Sequence, residues 1–396
     1  MTRSIDPAPS APGSPVQPIV AGVLAAGVGY ASTFALVLAG LAAAGATPAQ
    51  AASGLLFSTL AVALLNIFVA IQTKVPISFA WSTPGVALLL SIGAPEGGFA
   101  ATIGAFITAG ALVILAGLWP RFARLVSSIP ASIANAMLAG ILLSLCLAPL
   151  RAVAEMPMLA LPVIIAWALA LKFVRRYAVP VAVLVTVIVL AMTTSLPPGA
   201  FDQAWPKPEL VWPMFTLDAT IRIALPLFVV TMASQNLPGL AVMRANGYAV
   251  RPAPLFVLTG IGSILAAPFG GHSVNLAAIT AAICAGPEAG PDPTRRWLAP
   301  VAGGAAYFAL ALAAGLAAAF ITASPPLLIE SVAGLALMTS LAGALAGALD
   351  DPDARLPATV TFVTAASGIT VLGIGAAFWG ILAGLVLGWL MKTRPS

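Results

Sequence analysis

Apolar residues fall in blocks long enough to cross a bilayer, which takes about 20 residues of helix. The blocks lie near 17–41, 49–72, 98–119, 129–150, 158–174 and 179–195, and again near 217–242, 253–268, 297–320, 325–348, 355–373 and 375–391. Two further apolar stretches are interrupted. Residues 76–92 carry Pro76, Ser82, Thr83, Pro84 and Gly85 before the short run Val86 to Ile92. Residues 268–286 carry Pro268, Gly270, Gly271, His272, Ser273 and Asn275 before Leu276 to Ala285. Each pattern predicts an extended piece, a Gly/Pro break and a half-helix. Counting both gives 14 membrane segments in an all-α polytopic protein.

A Pro- and Trp-rich stretch, 196–216, separates seven segments from seven, and the broken segment is third in each half. Seven is odd, so the second half has inverted topology. Breaks at matching positions of two inverted halves point to the binding site of a secondary transporter. The predicted organisation is a disordered cytoplasmic tail over 1–16, a first repeat over 17–195, a periplasmic linker over 196–216 and a second, inverted repeat over 217–391.

Composition agrees. Of 396 residues, 61% are apolar and 7% charged, against about 25% charged in a soluble domain. The net charge of +5 could suggest nucleic acid, but the basic residues form no stripe and no aromatic-interleaved run. They sort by side instead. With both termini cytoplasmic, Arg3, Lys74, Arg121, Arg124, Lys172, Arg175, Arg176, Arg244, Arg251, Arg295, Arg296, Arg355, Lys392 and Arg394 lie inside, and only Arg151, Lys207 and Arg222 outside. Omitting one broken segment would destroy this bias. Cys146 and Cys284 read as small buried hydrophobes. Two distant cysteines and one histidine cannot build a typical zinc site, so no metal and no cofactor is expected.

Irregular backbone at membrane depth survives only where protein buries it or water lines it. The breaks at 82–85 and 270–275 therefore become candidate walls of one central site. The free N–H groups and dipole of a half-helix N-terminus favour an anion, and Ser82, Thr83, Ser273 and Asn275 could add hydrogen bonds. The other reading is that the glycines and prolines kink packed helices. His272, the chain's only histidine, lies in the second break, where a polar titratable group is costly. Its ordinary pKa of about 6.5 suits proton exchange near neutral pH; the alternative is a neutral ring bonded to a nearby carbonyl. Ser234-Gln235-Asn236 lies midway along segment 8 and either faces the site or joins helices. Tyr30, midway along segment 1, could stack on an aromatic substrate or simply pack. Asp218 and Arg222, four apart, read as an interfacial pair. Glu330 either snorkels or relays protons.

Four runs carry a family resemblance: Thr231-Met-Ala-Ser-Gln-Asn-Leu-Pro-Gly-Leu240, Arg244-Ala-Asn-Gly-Tyr248, Pro268-Phe-Gly-Gly-His-Ser-Val-Asn-Leu-Ala-Ala-Ile-Thr280, and the loop from Ala285-Gly-Pro-Glu288 to Trp297. They resemble the benzoate–proton symporters of the BenE type, and the likeness extends from about residue 17 to 391. It implies the 7+7 inverted-repeat fold shared with the uracil–proton symporters. In that fold segments 1–4 and 8–11 form a core and segments 5–7 and 12–14 a gate carrying any homodimer contact. It also implies short strands in segments 3 and 10, at about 77–81 and 267–271, meeting at the substrate. The nucleobase relatives carry glutamates at positions matching Gln235 and His272, a departure that suits an anionic substrate and leaves His272 as proton carrier. The expected substrate site comprises Tyr30, Phe79, Trp81, Ser82, Thr83, Gly85, Gln235, Asn236, Gly270, Gly271, His272, Ser273 and Asn275. The expected function is proton-coupled import of benzoate, or a close aromatic carboxylate, across a bacterial inner membrane. Alternatives are another organic anion or a nucleobase, or a passive anion channel. An intramembrane enzyme is disfavoured: neither Ser53-Gly54 nor Ser367-Gly368 has a glycine two residues before the serine, as a Gly-x-Ser-Gly motif requires.

Overall fold

The computed structural model describes residues 15–119, 121, 130–193, 205–322, 324–371 and 374–392. The tail expected at 1–16 lies outside them except for Pro15 and Val16, as does the first part of the linker. Segments 1 and 2 are α1 (Val16–Ala43) and α2 (Pro48–Thr73). Segment 3 is strand β1 (Phe79–Trp81) followed by α3 (Thr83–Ile92), and segment 4 is α4 (Gly98–Leu118). Segment 5 is α5 (Ala131–Cys146) with α6 (Ala148–Glu155), and segments 6 and 7 are α7 (Pro157–Phe173) and α8 (Ala178–Thr193).

Segment 8 is one continuous helix, α9 (residues 217–245), containing π-helical turns at Thr220–Ala224 and Met232–Asn236. Segment 9 is α10 (Pro252–Ala266). Segment 10 is β2 (Val274–Leu276) followed by α11 (Ile279–Ala285). Segment 11 is α12 (Leu298–Ala311) with α13 (Ala314–Thr322), and segment 12 is α14 (Pro326–Leu349). α15 (Arg355–Ala366) and α16 (Ala376–Lys392) complete the fourteen, joined by the short hairpin β3 (Thr370–Val371) and β4 (Ile374–Gly375).

Helix packing sorts these segments into two groups. α4 packs on α10, α12 on α1 and α2, and α1 on α3 and α11. In the other group α5 packs on α14 and α15, α15 on α16, and α7 on α8. The groups meet where α1 touches α14 and α8, and where α5 touches α3 and the second π-turn of α9.

Contacts between the connections also sort into two sets, as alternate crossing demands. On one face Thr102 Oγ1 donates to the Ala44 carbonyl, the Glu96 N–H to Asp218, the Met214 N–H to Ala100 and the Val211 N–H to Pro268. On the other, Gln17 bonds the Glu288 carbonyl, Tyr248 bonds that of Pro293, and the Lys74 ammonium sits 3.7 Å over the Trp297 ring. With the Glu209 N–H donating to Ser53 Oγ at 3.0 Å, the described part of the linker lies across segments 2, 4 and 9–10. Asp218 and Arg222 form the expected pair, at 3.6 Å.

The second strand departs from expectation. It lies at 274–276, and residues 267–269 continue α10 as a 3₁₀ turn. The reason is a helix stop. The Gly270 N–H bonds Ala267 and the Gly271 N–H bonds Ala266, the paired bonds of a Schellman cap, with Gly270 left-handed at φ +86°. The Gly/Pro cluster therefore ends segment 9, and the chain extends only afterwards. Gly270 also lies against α2, where an added Cβ would come within 2.9 Å of the Gln50 carbonyl and 3.1 Å of Gly54 Cα. Gly270→Ala combines a disfavoured φ with this backbone clash. It should destabilise the fold by about 1 kcal/mol or more, read as a lowered melting temperature in detergent. An unchanged melting point would show that α2 can move away.

Candidate functional site

β1 and β2 pair antiparallel, with Phe79 opposite Leu276, Ala80 opposite Asn275 and Trp81 opposite Val274. The two broken segments thus meet, and α3 and α11 leave the pair in opposite directions. Residues of an antiparallel pair alternate between facing each other and facing outward with their hydrogen-bonding groups. Where the groups face outward, side chains of neighbouring helices replace the missing strands. Asn66 of α2 accepts from the Phe79 N–H and donates to its carbonyl, both at 3.0 Å. Ser263 of α10 accepts from the Val274 N–H at 2.8 Å. Asn236, in the π-turn of α9, accepts from the Leu276 N–H at 2.9 Å. Asn66 and Ser263 lie on the second segment of each half, so the support follows the inverted repeat.

Ser82 caps α3. Its Oγ accepts from the Gly85 N–H and lies 3.0 Å from Thr231 Oγ1 on α9. Its N–H donates to the Ser273 carbonyl at 2.8 Å. With the Asn275 amide turned to match its neighbours, its oxygen accepts from Ser82 N–H at 3.1 Å and its nitrogen donates to the Leu276 carbonyl at 3.0 Å. A Cβ on Gly85 would lie 2.5 Å from a terminal methyl of Leu227 on α9, so α3 and α9 approach closely here.

The expected site residues therefore divide. Phe79, Ser82, Asn236, Ser273 and Asn275 are buried and committed to the strand pair. Gly270 and Gly271 use their N–H groups in the helix cap. His272 is fully buried with Nδ1 3.2 Å from Ser58 Oγ on α2, and its Nε2 has no partner among the described residues. Thr83 and Gln235 are only half-buried, and no hydrogen bond engages either side chain among the described residues. Gln235 lies about one turn beyond Thr231, the residue joined to Ser82, and α5 of the other group packs against this turn and α3.

An aromatic cluster lies beside them. Tyr30 stacks on Phe34 at 5.8 Å and meets Trp81 edge-on at 5.7 Å, and Trp81 meets Tyr307 of α12 at 5.9 Å. Trp81 Nε1 donates to Thr33 at 3.0 Å, but the buried Tyr30 hydroxyl has no partner among the described residues. Thr280, on the first turn of α11, has a buried Oγ1 that is likewise unpartnered. A cavity of about 430 Å³ opens along α1 towards its N-terminal end, lined among others by Leu24, Val28, Tyr177 and Ile283. At that face Arg296 donates to the Ala285 and Gly290 carbonyls, fastening the C-terminal end of α11.

Sequence reasoning missed Asn66, Ser263, Ser58, Thr280 and Tyr307. A lone polar residue inside an apolar run is the signal that Asn66 offered. Tyr307 carried none. Among the described residues no group of His, Cys, Asp and Glu could hold a metal.

Comparison with known proteins agrees with this architecture. The chain is 39% identical over 375 residues to the inner membrane protein YdcO of Escherichia coli, spanning 93% of this chain and 94% of that protein. It is 30% identical over 338 residues to the benzoate membrane transport protein of Acinetobacter baylyi, with 85% of each covered. Among solved structures, the transmembrane domain of the cyanobacterial bicarbonate transporter BicA superposes with a TM-score of 0.59 at 15% identity, covering 96% of this chain and 98% of that one. The murine Slc26a9 anion transporter in its inward-facing state gives 0.64 at 14% identity, covering 96% and 69%. These likenesses show the polytopic transporter fold. The profile of the BenE family, described as benzoate membrane transport protein, matches residues 13–390, and the chain belongs to that family: a multi-pass membrane transport protein and not an enzyme.

Proposed function

We propose that this transporter imports benzoate, or a close aromatic carboxylate, together with a proton across the bacterial inner membrane, by alternating access and with both termini cytoplasmic. The observation that carries the reading is the strand pair itself. It sets the N-terminus of α3, with the half-buried Thr83, beside the Tyr30–Trp81 aromatic pair. The helix end favours a carboxylate, and the aromatic edges and faces favour a ring. The family match and the Acinetobacter relative's name support the same substrate.

An aromatic acid with a carboxyl pKa of about 4 is anionic at neutral pH. Co-transport of one proton brings the moving charge to zero. It thereby avoids a cost of about 2.3 kcal/mol per 100 mV of inside-negative potential. The site lies where the two helix groups meet, and the cavity along α1 opens on the face assigned to the cytoplasm. Both features suit a carrier whose core moves against its gate. His272 is the proposed proton carrier.

Radiolabelled benzoate uptake into proteoliposomes tests the reading. An inward proton gradient should drive accumulation, and unlabelled benzoate should compete while uracil and acetate do not. Equal flux with and without the gradient would indicate a passive channel. Competition by uracil alone would indicate a nucleobase carrier.

A further inference from the structure

The hydrogen bonds of His272 fix which ring nitrogen carries the proton. Its backbone N–H donates to Ser58 Oγ at 3.1 Å, and the same Oγ lies 3.2 Å from Nδ1. A serine hydroxyl has one proton to donate. Elsewhere on α1 and α2 the hydroxyls give theirs to backbone carbonyls: Ser32, Thr33, Thr59 and Thr73 to the one four residues back, and Ser53 to that of Phe269. Ser58 donates to no carbonyl among the described residues, and Nδ1 is its one acceptor there. Ser58 therefore donates to Nδ1, which presents a lone pair, and the neutral ring holds its proton on Nε2. The free nitrogen of an imidazole is set by the bond that the other one makes. That Nε2 is wholly buried and has no partner among the described residues. Buried donors are almost always paired, so an unpaired one points to a ligand.

We propose that Ser58 is a positioning residue that locks His272 in the Nε2–H tautomer, so that the neutral ring offers one fixed donor to a carboxylate oxygen of the transported acid. The lock joins α2 to the stretch just before β2, so the donor's direction is tied to the packing of two segments. The identity of the acceptor rests on the carboxylate reading above; the tautomer does not.

The chain holds a single histidine, which makes the test direct. The full chain is labelled with nitrogen-15 histidine, purified through a histidine-free tag and placed in nanodiscs. At neutral pH the Nε2 resonance should be of the protonated type and that of Nδ1 of the unprotonated type, and saturating benzoate should shift Nε2 far more than Nδ1. Ser58→Ala should mix or reverse the tautomers and raise the KM for uptake about tenfold, the size of one lost hydrogen bond, with the maximal rate nearly unchanged. Ser58→Thr keeps the hydroxyl and should restore the parent spectrum. A parent spectrum with the proton on Nδ1 overturns the lock, whether or not Ser58→Ala folds, and so does a Ser58→Ala spectrum identical to the parent's. If benzoate is transported but leaves Nε2 unmoved, the donor does not serve the substrate. If benzoate is not transported at all, the substrate reading falls while the lock is judged on the parent spectrum alone.

Discussion

Asn66→Ala is expected to abolish benzoate uptake and to lower thermal stability together. Asn66 is buried in the middle of α2, and its amide takes both outward-facing groups of Phe79, N–H and carbonyl, at 3.0 Å each. It acts as one residue of a third strand. Alanine leaves two buried backbone groups without partners, at about 1–3 kcal/mol each, in a two-strand ladder of only three residues per side. The strand pair fixes the start of α3, so the cost falls on the site geometry as well as on the fold. Asn66→Asp keeps the acceptor for the Phe79 N–H but loses the donor to the carbonyl, and should fall between the parent and alanine. Proteoliposome uptake and a melting curve in detergent measure both effects. Parental uptake by Asn66→Ala would show that the strand pair stands without its side-chain support.

The segment count and the two breaks were legible because each is a local property of composition. Apolar runs, prolines and glycines, and the sidedness of the basic residues need no partner to be read. The exact place of the second strand was not legible. Pro268, Gly270 and Gly271 mark an interruption, but the same residues serve equally to end a helix and to begin an extended piece. Only the bonds from Gly270 and Gly271 back to Ala267 and Ala266 settle which.

In the sequence Val274 and Asn275 fall in the break and Leu276 begins the half-helix, yet all three are strand. They extend because Ser263 and Asn236 take the N–H groups of Val274 and Leu276, bonds made by residues 11 and 40 positions away. The same limit hid the site's supports. Ser234-Gln235-Asn236 stood out as a polar triplet, yet its members part: Asn236 bonds β2, while Gln235 is half-buried and makes no side-chain hydrogen bond among the described residues. Tyr30 and Trp81 were visible as aromatic candidates, but their union with Phe34 and Tyr307 depends on how α1, β1 and α12 pack.

His272→Gln is expected to separate substrate movement from proton coupling. Glutamine keeps a donor and an acceptor but cannot titrate, so the variant should still exchange benzoate across the membrane while losing accumulation driven by a proton gradient. The geometry describes how the parent ring would take a proton. Nδ1 holds the lone pair, engaged by the Ser58 hydroxyl 3.2 Å away. Protonation there requires that hydroxyl to turn, after which its oxygen accepts from both Nδ1 and the His272 backbone N–H, the latter already at 3.1 Å. A serine oxygen has two lone pairs for this.

The charged ring would then add a positive charge close to the proposed carboxylate site and strengthen anion binding. By linkage, a bound anion favours protonation by the same factor. Loss of substrate to the cytoplasm would then favour loss of the proton. Counterflow of labelled benzoate at equal pH on both sides measures exchange. Uptake under an imposed gradient measures coupling. The ratio of the two should collapse in His272→Gln and persist in Ser58→Thr. If His272→Gln accumulates benzoate against its gradient as the parent does, the proton travels elsewhere. Glu330 on α14, or the substrate's own carboxyl group, would then be the carrier, and His272 would be left with the role of a neutral donor.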